Sequence, residues 1–296
     1  MKLIRYGEPG RERPGVWLDD PHGAPPRILD VRGTAFDLAD YDAHFFARHG
    51  LERVAALTRE KNLRTLPAAG VRLGPPIARP ANIICIGKNY ADHAKEFDSV
   101  VPEAPVLFAK AATTLNGPFD PIIIAPDATT TDAEVELAVV IGRTTRDIPE
   151  SDALACIAGL TVLNDVTDRA AQRENTQWFR GKSFDTFCPL GPWLVTPDEA
   201  PPAQPRRLWS RLNDAPLQDG STRDLLFPLA RLIAHISRTM TLQPGDLIAT
   251  GTPAGVGFAR TPPIALHPGD HITCGIEGLG ELRNPVIARS APHPAR

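Results

Sequence analysis

Asp132-Ala-Glu-Val-Glu-Leu-Ala-Val-Val-Ile-Gly142 decides how the rest of the chain is read. Residues 135–141 form a short β-branched apolar run bounded by acidic residues and a glycine, which predicts a buried strand. Residues two apart in a strand share a face, so Glu134 and Glu136 project together while Val135 and Leu137 turn the other way. Two aligned carboxylates repel each other unless a cation or a proton lies between them. Hard oxygen donors of this kind favour Mg²⁺, Mn²⁺ or Ca²⁺ over zinc. Asp165 ends the apolar run Leu160-Thr-Val-Leu-Asn-Asp165, where the chain leaves the core, and is a third candidate carboxylate. The same residues also fit a plainer arrangement, an exposed charged strand face with Asp165 capping the next helix.

Working outward, similar short runs at 83–86, 106–108, 122–124, 160–163 and 247–250 predict a β-dominated core from residue 76 to about 290. Helical patterns there are fewer, at 150–156, 168–174 and 227–240. Residues 1–75 read as a small leading α+β domain. It has a hairpin of residues 2–6 and 15–18, a strand at 28–31, and helices at 41–48 and 51–60, with Gly50 as the stop between them. His44 and His49 in that segment read as surface or packing residues. The Pro-rich tail after residue 288 is expected to fray.

Composition narrows the function classes. The 296 residues are 42% hydrophobic and 23% charged, as in ordinary globular proteins. The 31 prolines are roughly twice the usual share and suit the loops of a β fold. A net charge of −3 without a basic run argues against nucleic acid as a partner. No apolar stretch approaches a membrane span, and Lys2, Arg5 and Glu8 interrupt any signal-peptide core, so a cytoplasmic protein is expected. Cys85, Cys156, Cys188 and Cys274 form no Cys-x-x-Cys pair; Cys85 and Cys156 lie in apolar runs and read as reduced core residues.

Three further segments carry chemistry. In Gly87-Lys-Asn-Tyr-Ala-Asp-His-Ala-Lys-Glu96, a helical turn places His93 and Glu96 on one face, and a carboxylate beside an imidazole makes a base for activating water. In Arg180-Gly-Lys-Ser-Phe-Asp-Thr-Phe-Cys-Pro189, a phosphate-binding loop is excluded because Thr176 stands where a glycine is required. Lys182 remains either a cation for a developing negative charge or a solvated lysine. Thr250-Gly-Thr-Pro-Ala-Gly-Val-Gly257 is either a tight turn or a carboxylate cradle built from its amides and the Thr252 hydroxyl.

Together and in this order, over residues 81–281, these segments resemble the fumarylacetoacetate hydrolase family. The resemblance implies a mixed β-sandwich roll with few helices, dimeric, preceded by a small N-terminal domain. It implies one Mg²⁺ or Mn²⁺ per subunit on Glu134, Glu136 and Asp165, and a base dyad of His93 and Glu96 on a lid. Lys182 would be the active-site lysine, with Arg169, Gln172, Gly251 and Thr252 holding a small dicarbonyl acid. The opening Met-Lys-Leu-Ile-Arg-Tyr-Gly and residues 178–199 resemble a branch that hydrolyses 2,4-diketo-3-deoxy sugar acids. Lys88, Phe184, Cys188 and the lid sequence Ala94-Lys-Glu-Phe-Asp98 depart from that pattern and bear on substrate identity. The same constellation serves decarboxylation of a 2-oxo acid or isomerisation of an unsaturated dioate, and a metabolite-binding protein could keep the carboxylates alone.

Overall fold

A computed structural model describes residues 1–60, 63–96 and 100–290; Phe97 and Asp98 of the expected lid, and the tail beyond Ser290, lie outside them. The fold is α+β and strand-dominated, with a 12-stranded and a 5-stranded sheet and one two-stranded ladder among the described residues. No described helix is long and apolar enough to cross a membrane.

The strand Val135–Ile141 lies inside the large sheet, antiparallel to Ile157–Asn164 on one side and Leu247–Ala249 on the other. Ile83–Gly87 runs parallel beside Leu247–Ala249, and Val106–Lys110 closes that edge. Strand alternation then sorts the side chains. Val135, Leu137, Val139 and Ile141 enter a core shared with Leu208, Ile272 and Ile276 of the smaller sheet. Ala138 and Val140 enter a second core with Leu3, Tyr41 and Phe45. A strand buried on both faces reads as one continuous apolar run, and each filled Val, Leu or Ile position contributes about 1.5–3 kcal/mol.

The leading segment joins the same sheet: Lys2 pairs with Val195 and Leu3 with Leu194, while Lys2–Tyr6 and Arg13–Leu18 form the expected hairpin. Its helices are shorter than the pattern suggests, Ala43–Ala47 and Gly50–Leu57. Gly50 does not stop the first helix; it opens the second. His49, at φ 54°, makes the reversal, and a Cβ on Gly50 would run into the Phe45 ring, so the glycine lets the two helices approach. All four cysteines are buried and unpaired.

Candidate active site

The register brings the functional side chains to one end of one sheet face. Glu136 pairs across from Leu163, two residues before Asp165, and Val135 pairs with Asn164. The backbone fixes the junction: Asp165 N–H donates to Glu134 O at 2.9 Å, and Glu134 N–H donates to the Asn164 side chain at 3.0 Å. Glu134, Glu136 and Asp165 are all buried, so the exposed-face arrangement is ruled out. Nor does Asp165 cap the next helix; Asp168 does, accepting from Ala171 N–H at 2.8 Å.

Each of the three carboxylates offers an oxygen within 4.8 Å of the others. Lys182, on the Phe179–Lys182 helix, donates to Glu134 Oε2 and Asp165 Oδ2, both at 2.6 Å. Arg169 reaches Glu134 Oε1 at 2.5 Å and Asp132 Oδ2 at 2.8 Å, with Gln172 Oε1 at 3.2 Å. Burial alone would raise the Glu134 pKa, but Arg169 and Lys182 outweigh it and hold the carboxyl below the usual range. Glu136 goes the other way: burial, then the like charges of Asp165 and Glu134, push it well above that range. It accepts a hydrogen bond from Gly251 N–H at 2.8 Å, and no salt bridge reaches it among the described residues. Three converging oxygen donors, one of them without a salt-bridge partner among the described residues, fit a hard divalent ion.

His93 and Glu96 lie on the Ala91–Glu96 helix, with Nδ1 3.2 Å from Glu96 Oε2. The other Glu96 oxygen accepts Gly255 N–H at 2.7 Å. The Gly-rich turn therefore contacts both halves of the site, Glu136 through Gly251 and Glu96 through Gly255. Thr252 lines the cavity, but its hydroxyl already donates to Val135 O at 2.8 Å and accepts from Gln218 at 2.7 Å. Glu134, Glu136, His93, Arg169, Gln172, Lys182 and Thr252 share one cavity of about 400 Å³, walled by Phe108 and Trp178. The thiols beneath do not belong to its chemistry: burial raises Cys85 well above its usual value and Cys188 to about 12.

Three residues of the site escape the sequence reading. Lys110 donates to Asp165 Oδ1 at 2.7 Å and Val166 O at 3.0 Å. It lies two residues beyond Phe108 on a strand whose expected end comes too early, so strand alternation could have found it. Asp132, which clamps Arg169, continues the alternation of Glu134 and Glu136 backwards. Gln218 braces Thr252 from a distant strand, and no local signal marks it.

A family model described as fumarylacetoacetate (FAA) hydrolase C-terminal matches residues 82–287. A Burkholderia multivorans protein provisionally named a hydrolase is 46% identical over 285 residues, 95% of this chain and 97% of that one. Among solved structures, a fumarylacetoacetate hydrolase from Exiguobacterium antarcticum is 40% identical with a TM-score of 0.81. A 5-carboxymethyl-2-hydroxymuconate delta-isomerase from Mycobacterium smegmatis is 36% identical with a TM-score of 0.77. A maleylpyruvate hydrolase from Sphingobium sp. SYK-6, in complex with manganese(II) and pyruvate, is 30% identical with a TM-score of 0.80. Each alignment covers 98% of this chain and 100% of the other.

Proposed function

This chain belongs to the fumarylacetoacetate hydrolase family, and we propose that it is a divalent-metal-dependent hydrolase that cleaves a carbon–carbon bond in a small 2,4-dioxo acid. The products are pyruvate and a carboxylic acid. The observation that carries this reading is that Glu134, Glu136 and His93 line one cavity, with Asp165 completing the carboxylate triad and Glu96 bonded to His93. A binding protein has use for the first of these but not for a base dyad beside it.

Held by Glu134, Glu136 and Asp165, a Mg²⁺ or Mn²⁺ ion supplies Lewis-acid polarisation of the 2-oxo acid oxygens. The bond from His93 Nδ1 to Glu96 orients the imidazole, leaving Nε2 to take a proton from water as it attacks the C4 carbonyl carbon. The tetrahedral centre collapses, the C3–C4 bond breaks, and its electron pair passes into the enolate of pyruvate. The proton taken by His93 returns to C3. Lys182 is kept charged, since Asp165 and Glu134 outweigh the effect of its burial, and it faces the developing oxyanion. Arg169, Gln172 and the Gly251–Thr252 turn hold substrate oxygens in this reading, and the enzyme works as a cytoplasmic homodimer.

A second reading, isomerisation of an unsaturated dioate, is favoured by the similarity to the Mycobacterium smegmatis isomerase. In it His93 takes a proton from one substrate carbon and returns it to another, with no water attack, and no pyruvate is released. The base assignment is tested by His93→Ala: loss of turnover with metal binding retained supports it, and full turnover contradicts it.

A further inference from the structure

Lys110 is a fully buried cation that the hydrolytic reading leaves without a role. It ends the strand Val106–Lys110 and does not line the cavity. Its ammonium donates to Asp165 Oδ1 at 2.7 Å and to Val166 O at 3.0 Å. The second bond matters as much as the first. A lysine tied only to a carboxylate is free to swing aside when a metal ion arrives. One tied also to a main-chain carbonyl, where solvent does not reach, stays in place, because moving would leave a buried charge unpaired.

The other carboxylate oxygens of the triad are engaged in a similar manner. Lys182 takes Asp165 Oδ2 and Glu134 Oε2, and Arg169 takes Glu134 Oε1. Gly251 N–H takes Glu136 Oε2. On Asp165 and Glu134, then, both oxygens already face a cationic side chain. A metal ion chelated side-on by either carboxylate would stand against two of those cations at once, and like charges at contact distance repel strongly away from water. Each carboxylate is therefore set to give the ion one oxygen. Three such oxygens leave half of an octahedron for water or substrate, which suits Mg²⁺ or Mn²⁺. Ca²⁺ is larger, takes up to about eight oxygens, and commonly draws on carboxylates that give both of theirs.

We infer that Lys110 is a positioning residue that sets the metal selectivity of the site: by holding Asp165 Oδ1 it limits Asp165 to one metal bond and disfavours Ca²⁺. Lys182 and Arg169 line the cavity, where substrate reaches them, whereas Lys110 acts on Asp165 from outside it. The inference rests on Glu134, Glu136 and Asp165 as the metal ligands, and it is independent of which substrate bond is broken.

The test titrates Mn²⁺, Mg²⁺ and Ca²⁺ calorimetrically into wild type and Lys110→Met, which keeps most of the volume without the donor. Thermal unfolding in EDTA checks that the variant is folded. Lys110→Gln, whose shorter amide withdraws from Asp165, takes its place if it is not. Loss of a positive charge near the ions strengthens all three alike, so the readout is the ratio of the Mn²⁺ and Ca²⁺ affinities, which a purely electrostatic or structural role would not move. Wild type is expected to favour Mn²⁺ by roughly ten- to a hundredfold, and the variant to narrow that ratio by about tenfold as Asp165 turns both oxygens to the larger ion. A ratio unchanged in the variant, or a wild type that favours Ca²⁺, overturns the role of Lys110 and leaves the metal site standing. A wild type that binds none of the three ions removes the metal-dependent reading and this inference together.

Discussion

Gly255 donates its amide hydrogen to Glu96 at 2.7 Å, so the turn that holds Glu136 through Gly251 also seats the residue that orients His93. Backbone amides on one short loop thereby set the position of His93 relative to the carboxylates. The same loop continues to Gly257 and Phe258, whose amides fix Asp132 and through it Arg169.

Gly255 has φ 100°, and a Cβ there would sit 2.5 Å from Leu217 O. Gly255→Ala must therefore shift the turn and release Glu96. The expected result is a kcat lowered roughly ten- to a hundredfold, part of the roughly 10²–10⁴ that a positioned base contributes. Metal affinity should change by less than about threefold, because the Gly251–Glu136 bond lies on the other side of the turn. Calorimetry and steady-state kinetics on one preparation separate the two effects.

Glu134 and Glu136 are neighbours on one face, yet their neutralisation should have opposite consequences for the metal-free fold. Glu134→Gln leaves buried Arg169 and Lys182 short of a counter-charge, which is expected to cost about 3–5 kcal/mol. Glu136→Gln relieves repulsion with Asp165 and Glu134, and is expected to leave thermal stability unchanged or higher. Both should abolish tight metal binding. Unfolding curves in EDTA, with metal titrations alongside, check the pair.

Metal affinity should depend on pH in a defined direction. Burial and two like charges raise the folded-state pKa of Glu136 above its unfolded value. The metal-free protein therefore gains stability from this proton at low pH and loses that contribution as pH rises through the folded value. A metal ion must displace the same proton, so its apparent affinity should rise by up to about tenfold per pH unit and level off above that value. Titrations in buffers of different ionisation enthalpy should show proton release; affinity independent of pH would contradict it.

Much of the site is legible in the sequence, because strand alternation and helical spacing are strictly local. Glu134 and Glu136 have to share a face, and His93 and Glu96 have to meet across a helical turn. Burial is not legible in the same way: an exposed pair and a buried one have the same spacing, and only the packing of Leu3, Tyr41 and Phe45 against the far part of that face distinguishes them. Lys110 escapes because the apolar run ends at Phe108, although the ladder to Ile83 carries the strand to residue 110. Gln218 is beyond reach, since its contact with Thr252 depends on how the two sheets stack. The Gly50 turn misleads because glycine serves close approach as well as helix termination, and only the position of Phe45 decides which.

The most direct test of the central claim is a product balance on the wild-type protein with Mg²⁺ or Mn²⁺ and a 2,4-dioxo acid, run with and without EDTA. The account predicts equal amounts of pyruvate and the carboxylic acid from the acyl half, lost with EDTA and in Glu134→Ala. Substrate consumed with metal present but without pyruvate, as an isomer or with release of carbon dioxide, would contradict it.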